Sequence, residues 1–124
     1  MIAPFVLGRG MLRRKVIDTQ ALLGALSIYL LAGIAFAMAY RIMALLQSTP
    51  LFTLPDGRAG DGTISDQMYF SFVTLSTTGY GDITARVGNA RAFALLEAIG
   101  GQLYLLTAVA AILGVLVSRR AERE

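Results

Sequence analysis

The string Thr77-Thr78-Gly79-Tyr80-Gly81-Asp82 is the most informative part of this chain, because two glycines flank a tyrosine in a segment that lies between two long apolar segments. Glycine at alternate positions lets the backbone adopt a positive φ, where a residue with a side chain is strained. A strand that alternates between right-handed and left-handed conformations turns successive carbonyl oxygens to the same side. Several such strands around one axis are expected to stack rings of oxygen atoms that can replace the water around a bare cation. We call residues 77–82 the filter segment.

The composition favours a membrane protein. The chain has 124 residues, of which 56% are hydrophobic, and its mean hydropathy is +0.64. A water-soluble domain of this size needs more polar surface. Cysteine and histidine are absent from the sequence, which excludes disulfides and the usual zinc and haem sites. We expect no cofactor.

The basic residues flank the apolar segments, although the net charge of +3 alone would also suit a nucleic-acid partner. Arg9, Arg13, Arg14 and Lys15 precede the first apolar segment, and Arg119, Arg120 and Arg123 follow the last. Flanking clusters are typical of the positive-inside rule, which predicts that both termini are cytoplasmic and that the chain crosses the plasma membrane an even number of times. We therefore expect two spans in contact with lipid, no nucleic-acid partner and no soluble protein partner.

The first span is predicted as an outer helix over residues 18–47. Residues 21–40 carry no charge, and twenty helical residues reach about 30 Å, the thickness of a hydrocarbon core. A secretory signal is the competing interpretation, because Ala35-Phe36-Ala37 has the small-x-small pattern of a cleavage site. The apolar run is long for a signal, and cleavage would leave the filter segment beside a single span.

Between the spans we expect an external loop over residues 48–62 and a short pore helix over 63–77. Thr63 or Ser65 can cap this helix, with Asp66 in its first turn. Twelve residues give about 18 Å, roughly half a bilayer. The helix is therefore expected to enter from outside, stop midway and return as the extended filter segment, which survives at that depth only when it is buried in protein or lines a water-filled cavity.

The second span is predicted as an inner helix over residues 89–118, within a pore domain of residues 18–118. Residues 119–124 form a cytoplasmic tail. Residues 1–17 form a basic cytoplasmic segment, in which the first fifteen residues suit either a short interfacial helix or an irregular, electrostatically anchored tail.

The filter segment closely resembles the selectivity filter of potassium channels, usually written Thr-Val-Gly-Tyr-Gly-Asp. Thr78 departs from that pattern, since valine is the commonest residue at its position. The resemblance covers about residues 17–118. It implies an all-α membrane protein with two transmembrane helices, a re-entrant pore helix and an extended filter, assembled as a homotetramer that performs no enzymatic step.

By this resemblance, K⁺ is bound by the backbone carbonyls of Thr77, Thr78, Gly79 and Tyr80, to which the Thr77 hydroxyl adds a ring at the cavity end. Gly81 is expected to permit the outward turn of the backbone. The Tyr80 ring is expected to point away from the pore, where it would wedge the filter against its supporting helix.

The residues that support the filter are also given by the resemblance. Tyr69 and Phe70 occupy positions where the family usually has tryptophan. Tyr69 keeps a hydroxyl that can reach Asp82, whereas Phe70 has no donor, so Thr74 is the better partner for the Tyr80 hydroxyl. Asp82 near the outer mouth is expected to gather cations, and capping of a turn is its alternative role.

The predicted inner helix contains a glycine pair and an apolar face. Gly100-Gly101 lies where the family has its gating hinge, and close packing of a small residue against the pore helix is the alternative. Helical spacing from Gly101 brings four apolar residues to one face, where they are expected to line a cavity and a hydrophobic gate. These residues are Leu105, Val109, Leu113 and Val117.

Glu97 is the one charged residue between residues 92 and 117. Ionisable groups inside a membrane are costly and generally paired. Arg41 lies at a comparable depth on the outer helix, so we expect an Arg41–Glu97 ion pair. Hydrogen bonds from Glu97 to hydroxyl or backbone groups behind the filter are the alternative.

The pattern as a whole predicts a potassium-selective channel with passive flux through a central pore. A weakly selective monovalent cation channel is one alternative, because Thr78 replaces valine. A non-conducting membrane subunit that keeps the hairpin for packing is another, although packing alone does not require glycines on both sides of a tyrosine. The sequence does not identify the stimulus that opens the pore. Membrane tension, pH and lipid are the candidates, unless the chain is a piece of a longer protein.

Overall fold

The computed structural model describes residues 3–123, and for residues 3–18 the backbone alone. The elements in chain order are α1 Ala3–Leu46, β1 Phe52–Thr53, β2 Ala59–Gly60, α2 Ile64–Leu75, β3 Thr84–Ala85 and α3 Gly88–Ala121. Two segments, Thr19–Leu46 of α1 and Gly88–Ala121 of α3, are long and apolar enough to cross a membrane. The predicted architecture, in which two spans flank a short helix, is confirmed.

Helix α1 is longer than the predicted outer helix. It begins at Ala3 and continues without a break through residue 18, where the sequence analysis placed the start of the span. Pro4 lies in the first turn, where proline is tolerated because the N–H groups there have no helical partner. The predicted placement of the first fifteen side chains on the membrane surface lies outside the described residues, as do Met1, Ile2 and Glu124.

Helix α2 begins with a capping box. The Thr63 side chain accepts a hydrogen bond from the Asp66 N–H (3.2 Å), and the Asp66 carboxylate accepts one from the Thr63 N–H (2.7 Å). Thr63 is thus the capping residue of the two candidates. The helix ends at Leu75 with Ser76 as its C-cap, two residues before the predicted end, because Thr77 has a φ of +57° that no right-handed helix accommodates.

A three-stranded antiparallel sheet with the order β2-β1-β3 connects the loops on the two sides of α2. Phe52 pairs with Gly60 on one side and with Ala85 on the other. Because β1 precedes α2 and β3 follows the filter segment, the sheet fastens both ends of the re-entrant region to each other. A loop was predicted for residues 48–62, which contain β1 and β2, since strands of two residues are too short to show a period.

The core lies where α1, α2, α3 and the sheet meet. The ring of Tyr40 is fully buried and packs edge-on against Phe52, Phe70 and Phe93, with ring centroids 5.2–5.4 Å apart. Edge-to-face aromatic pairs of this kind add about 0.5–1.5 kcal/mol beyond the burial of their area. Phe70, which lacks a donor, is therefore a packing residue.

Two glycines let α2 approach the spanning helices. A Cβ on Gly33 of α1 would lie 2.5 Å from the Phe72 ring, and a Cβ on Gly101 of α3 would lie 2.4 Å from the Leu75 carbonyl oxygen. Small residues allow helices in a membrane to pack this closely. The end of α2, and with it the start of the filter segment, is thereby held against both spans.

Candidate functional site

The backbone of the filter segment alternates in handedness. Thr77, Gly79 and Gly81 have φ angles of +57°, +57° and +81°, whereas Thr78 and Tyr80 are not among the residues with positive φ. Thr77 is the one non-glycine residue with a positive φ among the described residues, a conformation that costs a residue with a Cβ about 1–2 kcal/mol. Strain of this kind persists where the surrounding structure enforces it, and it clusters at functional sites.

The N–H groups at the start of the segment fold back onto α2. Thr77 donates to the Thr74 carbonyl (3.0 Å), and Thr78 and Gly79 both donate to the Val73 carbonyl (2.9 and 3.3 Å). Within residues 3–123, by contrast, no hydrogen bond ends on the carbonyl oxygens of residues 77–81. The first three residues of the segment therefore use their N–H groups internally, and residues 77–81 keep their carbonyl oxygens available for a ligand.

The Thr78 side chain has a partner that sequence reasoning missed. Its hydroxyl lies 2.8 Å from the Ser76 hydroxyl, which also reaches the Val73 carbonyl at 3.4 Å. The signal was the Ser76-Thr77-Thr78 run itself, in which three adjacent hydroxyl residues follow an apolar helix. The threonine at the usual valine position thus extends the hydrogen bonding at the end of α2.

Tyr80 lies over Tyr69, with parallel rings (11° interplanar angle) and centroids 6.5 Å apart. Asp82 is close enough to the Tyr69 hydroxyl to raise the pKa of that phenol, and its carboxylate accepts a hydrogen bond from the Ile83 N–H (3.0 Å). The expected bond between Thr74 and the Tyr80 hydroxyl is not made within residues 19–123, because the Tyr80 ring stacks on Tyr69 and remains 73% exposed.

Glu97 forms hydrogen bonds to hydroxyl groups behind the filter segment. Its side chain is fully buried; Tyr40 of α1 donates to Oε2 (2.8 Å), and Ser71 of α2 lies against Oε1. The predicted Arg41–Glu97 ion pair is wrong: no ion pair joins the two within the part of the chain whose side chains are described. Tyr40, next to Arg41 in sequence, is the residue that α1 turns toward Glu97.

The two glycines of α3 differ in their surroundings. Gly101 is buried against the end of α2, whereas a Cβ on Gly100 would meet no atom within 4 Å. Close packing, the alternative to a hinge, therefore accounts for Gly101. Close packing does not explain Gly100, for which a hinge stays the hypothesis.

A pocket of about 150 Å³ opens beneath the filter segment. It is lined by Leu75, Ser76, Thr77, Gln102, Leu105 and Leu106. Gln102 was missed in the sequence, although it is the one amide side chain between Asn89 and the end of the chain. Its position beside Thr77 places a polar group at the inner end of the filter segment.

Comparison with protein families matches residues 25–118 to the family described as Ion channel. The match covers three quarters of the chain, including both spans, α2 and the filter segment. The chain belongs to this ion channel family. No curated protein matches the channel sequence. Membership establishes a membrane protein that moves ions and is not an enzyme, and channels of this family typically work as oligomers.

The inner helix of the channel exposes the predicted apolar face. Leu105, Val109, Leu113 and Val117 are 41–67% exposed in the single chain, and Leu105 lines the pocket below Thr77. An exposed apolar face on a membrane helix is available to lipid, to a second chain or to a dewetted pore.

Proposed function

We propose that the protein is a potassium-selective channel in which four identical chains surround a central pore. The observation that carries this proposal is the alternation of positive φ at residues 77, 79 and 81 together with the free carbonyl oxygens of the same segment. Oxygens that have no partner among the described residues can provide the dipoles that replace the hydration shell of a monovalent cation.

The individual roles follow the filter segment from inside to outside. Carbonyls of Thr77, Thr78, Gly79 and Tyr80 bind K⁺, and the Thr77 hydroxyl adds oxygen at the inner end. Gly81 turns the backbone outward. Asp82 supplies negative potential at the external mouth, and Tyr69 holds Asp82 in place.

Helix α2 contributes an electrostatic field. Its N-terminus is capped by Thr63 and Asp66, and Leu75 at its C-terminal end lines the same pocket as Thr77. The C-terminal end of a helix carries a partial negative charge, which stabilises a cation nearby. The partial negative charge at this end of α2 therefore favours a hydrated cation in the pocket below the filter segment.

Assembly and topology belong to the same proposal. The exposed Tyr80 ring and the apolar face from Leu105 to Val117 give each chain surfaces that a neighbouring chain can cover. Basic residues at both ends of the chain favour two cytoplasmic termini in the plasma membrane. The gating hinge of this proposal is the Gly100-Gly101 pair, in which Gly100 has open space and Gly101 packs against the end of α2. The proposed hydrophobic gate lies near Leu113 and Val117.

The test is a planar-bilayer recording of the purified protein with asymmetric potassium and sodium. A reversal potential close to that of potassium supports the proposal. A reversal potential between those of the two ions favours the weakly selective cation channel, for which the polar Thr78–Ser76 contact at 2.8 Å is the supporting observation. Absence of current across membrane tension, pH and lipid composition favours the non-conducting subunit. Native mass spectrometry of the same sample counts the chains.

A further inference from the structure

Four groups from three helices form one buried hydrogen-bonded cluster around the carboxyl of Glu97. Glu97 of α3 is fully buried in the second span. Tyr40 of α1 contacts one of its oxygens and Ser71 of α2 contacts the other. The Ser71 hydroxyl also lies 2.7 Å from the carbonyl oxygen of Gly33 in α1. This cluster, which we call the carboxyl clamp, is not part of the ion pathway proposed above.

A count of hydrogen atoms in the clamp fixes the state of Glu97. A serine hydroxyl has one hydrogen, and a backbone carbonyl has none. The short contact from Ser71 to Gly33 therefore uses the serine hydrogen, because Gly33 can only accept. The hydrogen in the second contact of Ser71, to Oε1, must then come from Glu97. Tyr40 donates to Oε2. A neutral carboxylic acid, with one O–H and one carbonyl oxygen, satisfies all three contacts.

The charges around the clamp agree with this count. The titratable groups that act on Glu97 are Tyr29 and Tyr40, both on α1 and both neutral at physiological pH. Helix α2 faces it with Ser71, which does not titrate. The other titratable group in the apolar part of α3 is Tyr104, whose hydroxyl donates to the Ala25 carbonyl (2.6 Å) instead. No cation among residues 19–123 pairs with Glu97. A buried carboxylate without a cation is costly, so the group stays neutral instead.

We propose that Glu97 is a positioning residue that remains protonated at neutral pH and fastens α2 to both spans through Ser71 and Tyr40. Ser71 lies one turn before the end of α2, and Gly101, one turn after Glu97, packs against Leu75. Ionisation at alkaline pH draws the Ser71 hydrogen from Gly33 to the carboxylate, and this breaks the link between α2 and α1. The clamp therefore holds the base of the filter segment below that pH and loosens above it.

The first test is infrared spectroscopy of the purified protein in lipid vesicles, titrated from mildly acidic to strongly alkaline pH. At neutral pH the wild type is expected to show the carbonyl stretch of a protonated carboxylic acid. Glu97→Gln is expected to lose that band, and Tyr40→Phe to shift it, because the carbonyl oxygen loses its donor. A neutral-pH spectrum in which Glu97→Gln removes only carboxylate bands overturns the proposal.

The second test is thermal melting of the same variants as a function of pH. The unfolded chain releases the Glu97 proton at about pH 4.3, whereas the folded protein keeps it at neutral pH. Stability therefore falls as the pH rises from about 4.3 until Glu97 ionises in the folded state. Glutamine supplies an N–H donor and a carbonyl acceptor in the same places. Glu97→Gln is therefore expected to match the wild-type Tm at about pH 4 and to lose the decline that the wild type shows as the pH rises above it, whereas Ser71→Ala lowers the Tm at neutral pH.

Equal pH dependence of melting in the wild type and Glu97→Gln contradicts the proposal. If Glu97→Gln does not fold, Tyr40→Phe decides the question, because its infrared band shifts only if the hydroxyl is bonded to a protonated Glu97. Neither measurement involves ion flux. The clamp and the potassium selectivity can thus fail separately.

Discussion

The filter segment and the carboxyl clamp flank the end of the same short helix, yet they follow opposite rules. In the clamp, a buried carboxyl, two hydroxyls and a backbone carbonyl all find partners. In the filter segment, the carbonyl oxygens of residues 77–81 have none within the described chain, and three φ angles are positive. Strained backbone with unpartnered carbonyl oxygens is therefore confined to the filter segment, while the polar groups of the clamp behind it are buried and hydrogen-bonded.

The largest effect is expected for Gly79→Ala, which places a Cβ on a left-handed residue of the filter segment. A Cβ there meets no atom within 4 Å, so its cost comes from the backbone, about 1–2 kcal/mol for an alanine held at positive φ. If the channel conducts potassium as proposed, we expect this variant to lose the current or its selectivity, measured as conductance and reversal potential in planar bilayers.

Gly24→Ala is the matched control, because Gly24 also has open space around it but lies in α1 without a positive φ. This variant is expected to keep the wild-type reversal potential. A Gly79→Ala channel that selects potassium as well as the wild type would contradict the role given to the left-handed backbone.

The next effect tests the packing that holds the two regions together. Gly101→Ala places a methyl group 2.4 Å from the Leu75 carbonyl oxygen, and overpacking of this kind typically costs about 1–3 kcal/mol. Gly100→Ala has open space and gains up to about 1 kcal/mol of helix propensity. Thermal melting in detergent should therefore move in opposite directions for the two variants.

If both substitutions shift the Tm alike, the close approach of α3 to the end of α2 does not determine stability. A current that survives Gly101→Ala but is changed by Gly100→Ala would instead locate bending at Gly100.

A smaller effect is expected at the other end of α2, far from the strained segment. Thr63→Ala removes the cap and should cost about 1 kcal/mol, whereas Ser65→Ala, which leaves the capping box intact, should cost little. The measurement is the Tm at neutral pH. Equal losses in the two variants would show that the capping box contributes nothing.

The same capping box predicts an acid limit. Hydrogen bonds from the Thr63 backbone N–H and hydroxyl lower the pKa of Asp66. A carboxyl whose pKa is lower in the folded state stabilises the protein above its ordinary pKa, and this contribution is lost as the pH falls through the lowered value. Asp66→Asn should therefore flatten the decline of the Tm below about pH 4.

The smallest effect is expected at the Asp56–Arg58 ion pair in the hairpin that joins β1 to β2. The two side chains are 46% and 84% exposed and lie 2.8 Å apart, and exposed pairs contribute little because water and salt screen them. Arg58→Ala should leave the Tm nearly unchanged in both low and high salt. A clear loss at low salt that disappears at high salt would show that this hairpin depends on charge.

Some features could be predicted from sequence because they depend on neighbours along the chain. The uncharged run over residues 21–40, the apolar run around Glu97 and the candidate caps Thr63 and Ser65 indicated two spans and a short capped helix between them. The positions of Gly79 and Gly81 indicated alternating backbone, and the structure adds Thr77 to the series. Local rules of conformation operate over a few residues, so the sequence displays them directly.

Other features depend on residues distant in sequence. Arg41 was the plausible partner of Glu97 by depth, yet Tyr40 and Ser71 hold it, 57 and 26 residues away. The rotation of α1 that presents Tyr40 depends on how its surface packs against α2 and α3. The pairing of β1 with β3 across the whole re-entrant region has the same origin.

By itself the sequence determined that this protein is a membrane hairpin with a re-entrant segment whose backbone alternates at glycine. Hydrophobic length, charge placement and glycine spacing are one-dimensional properties, and each limits the chain locally. Only the tertiary structure decided which groups satisfy the buried Glu97, which of two adjacent glycines is packed, and where the carbonyl oxygens remain free. Those outcomes depend on the relative rotation and close approach of three helices, which no local pattern encodes.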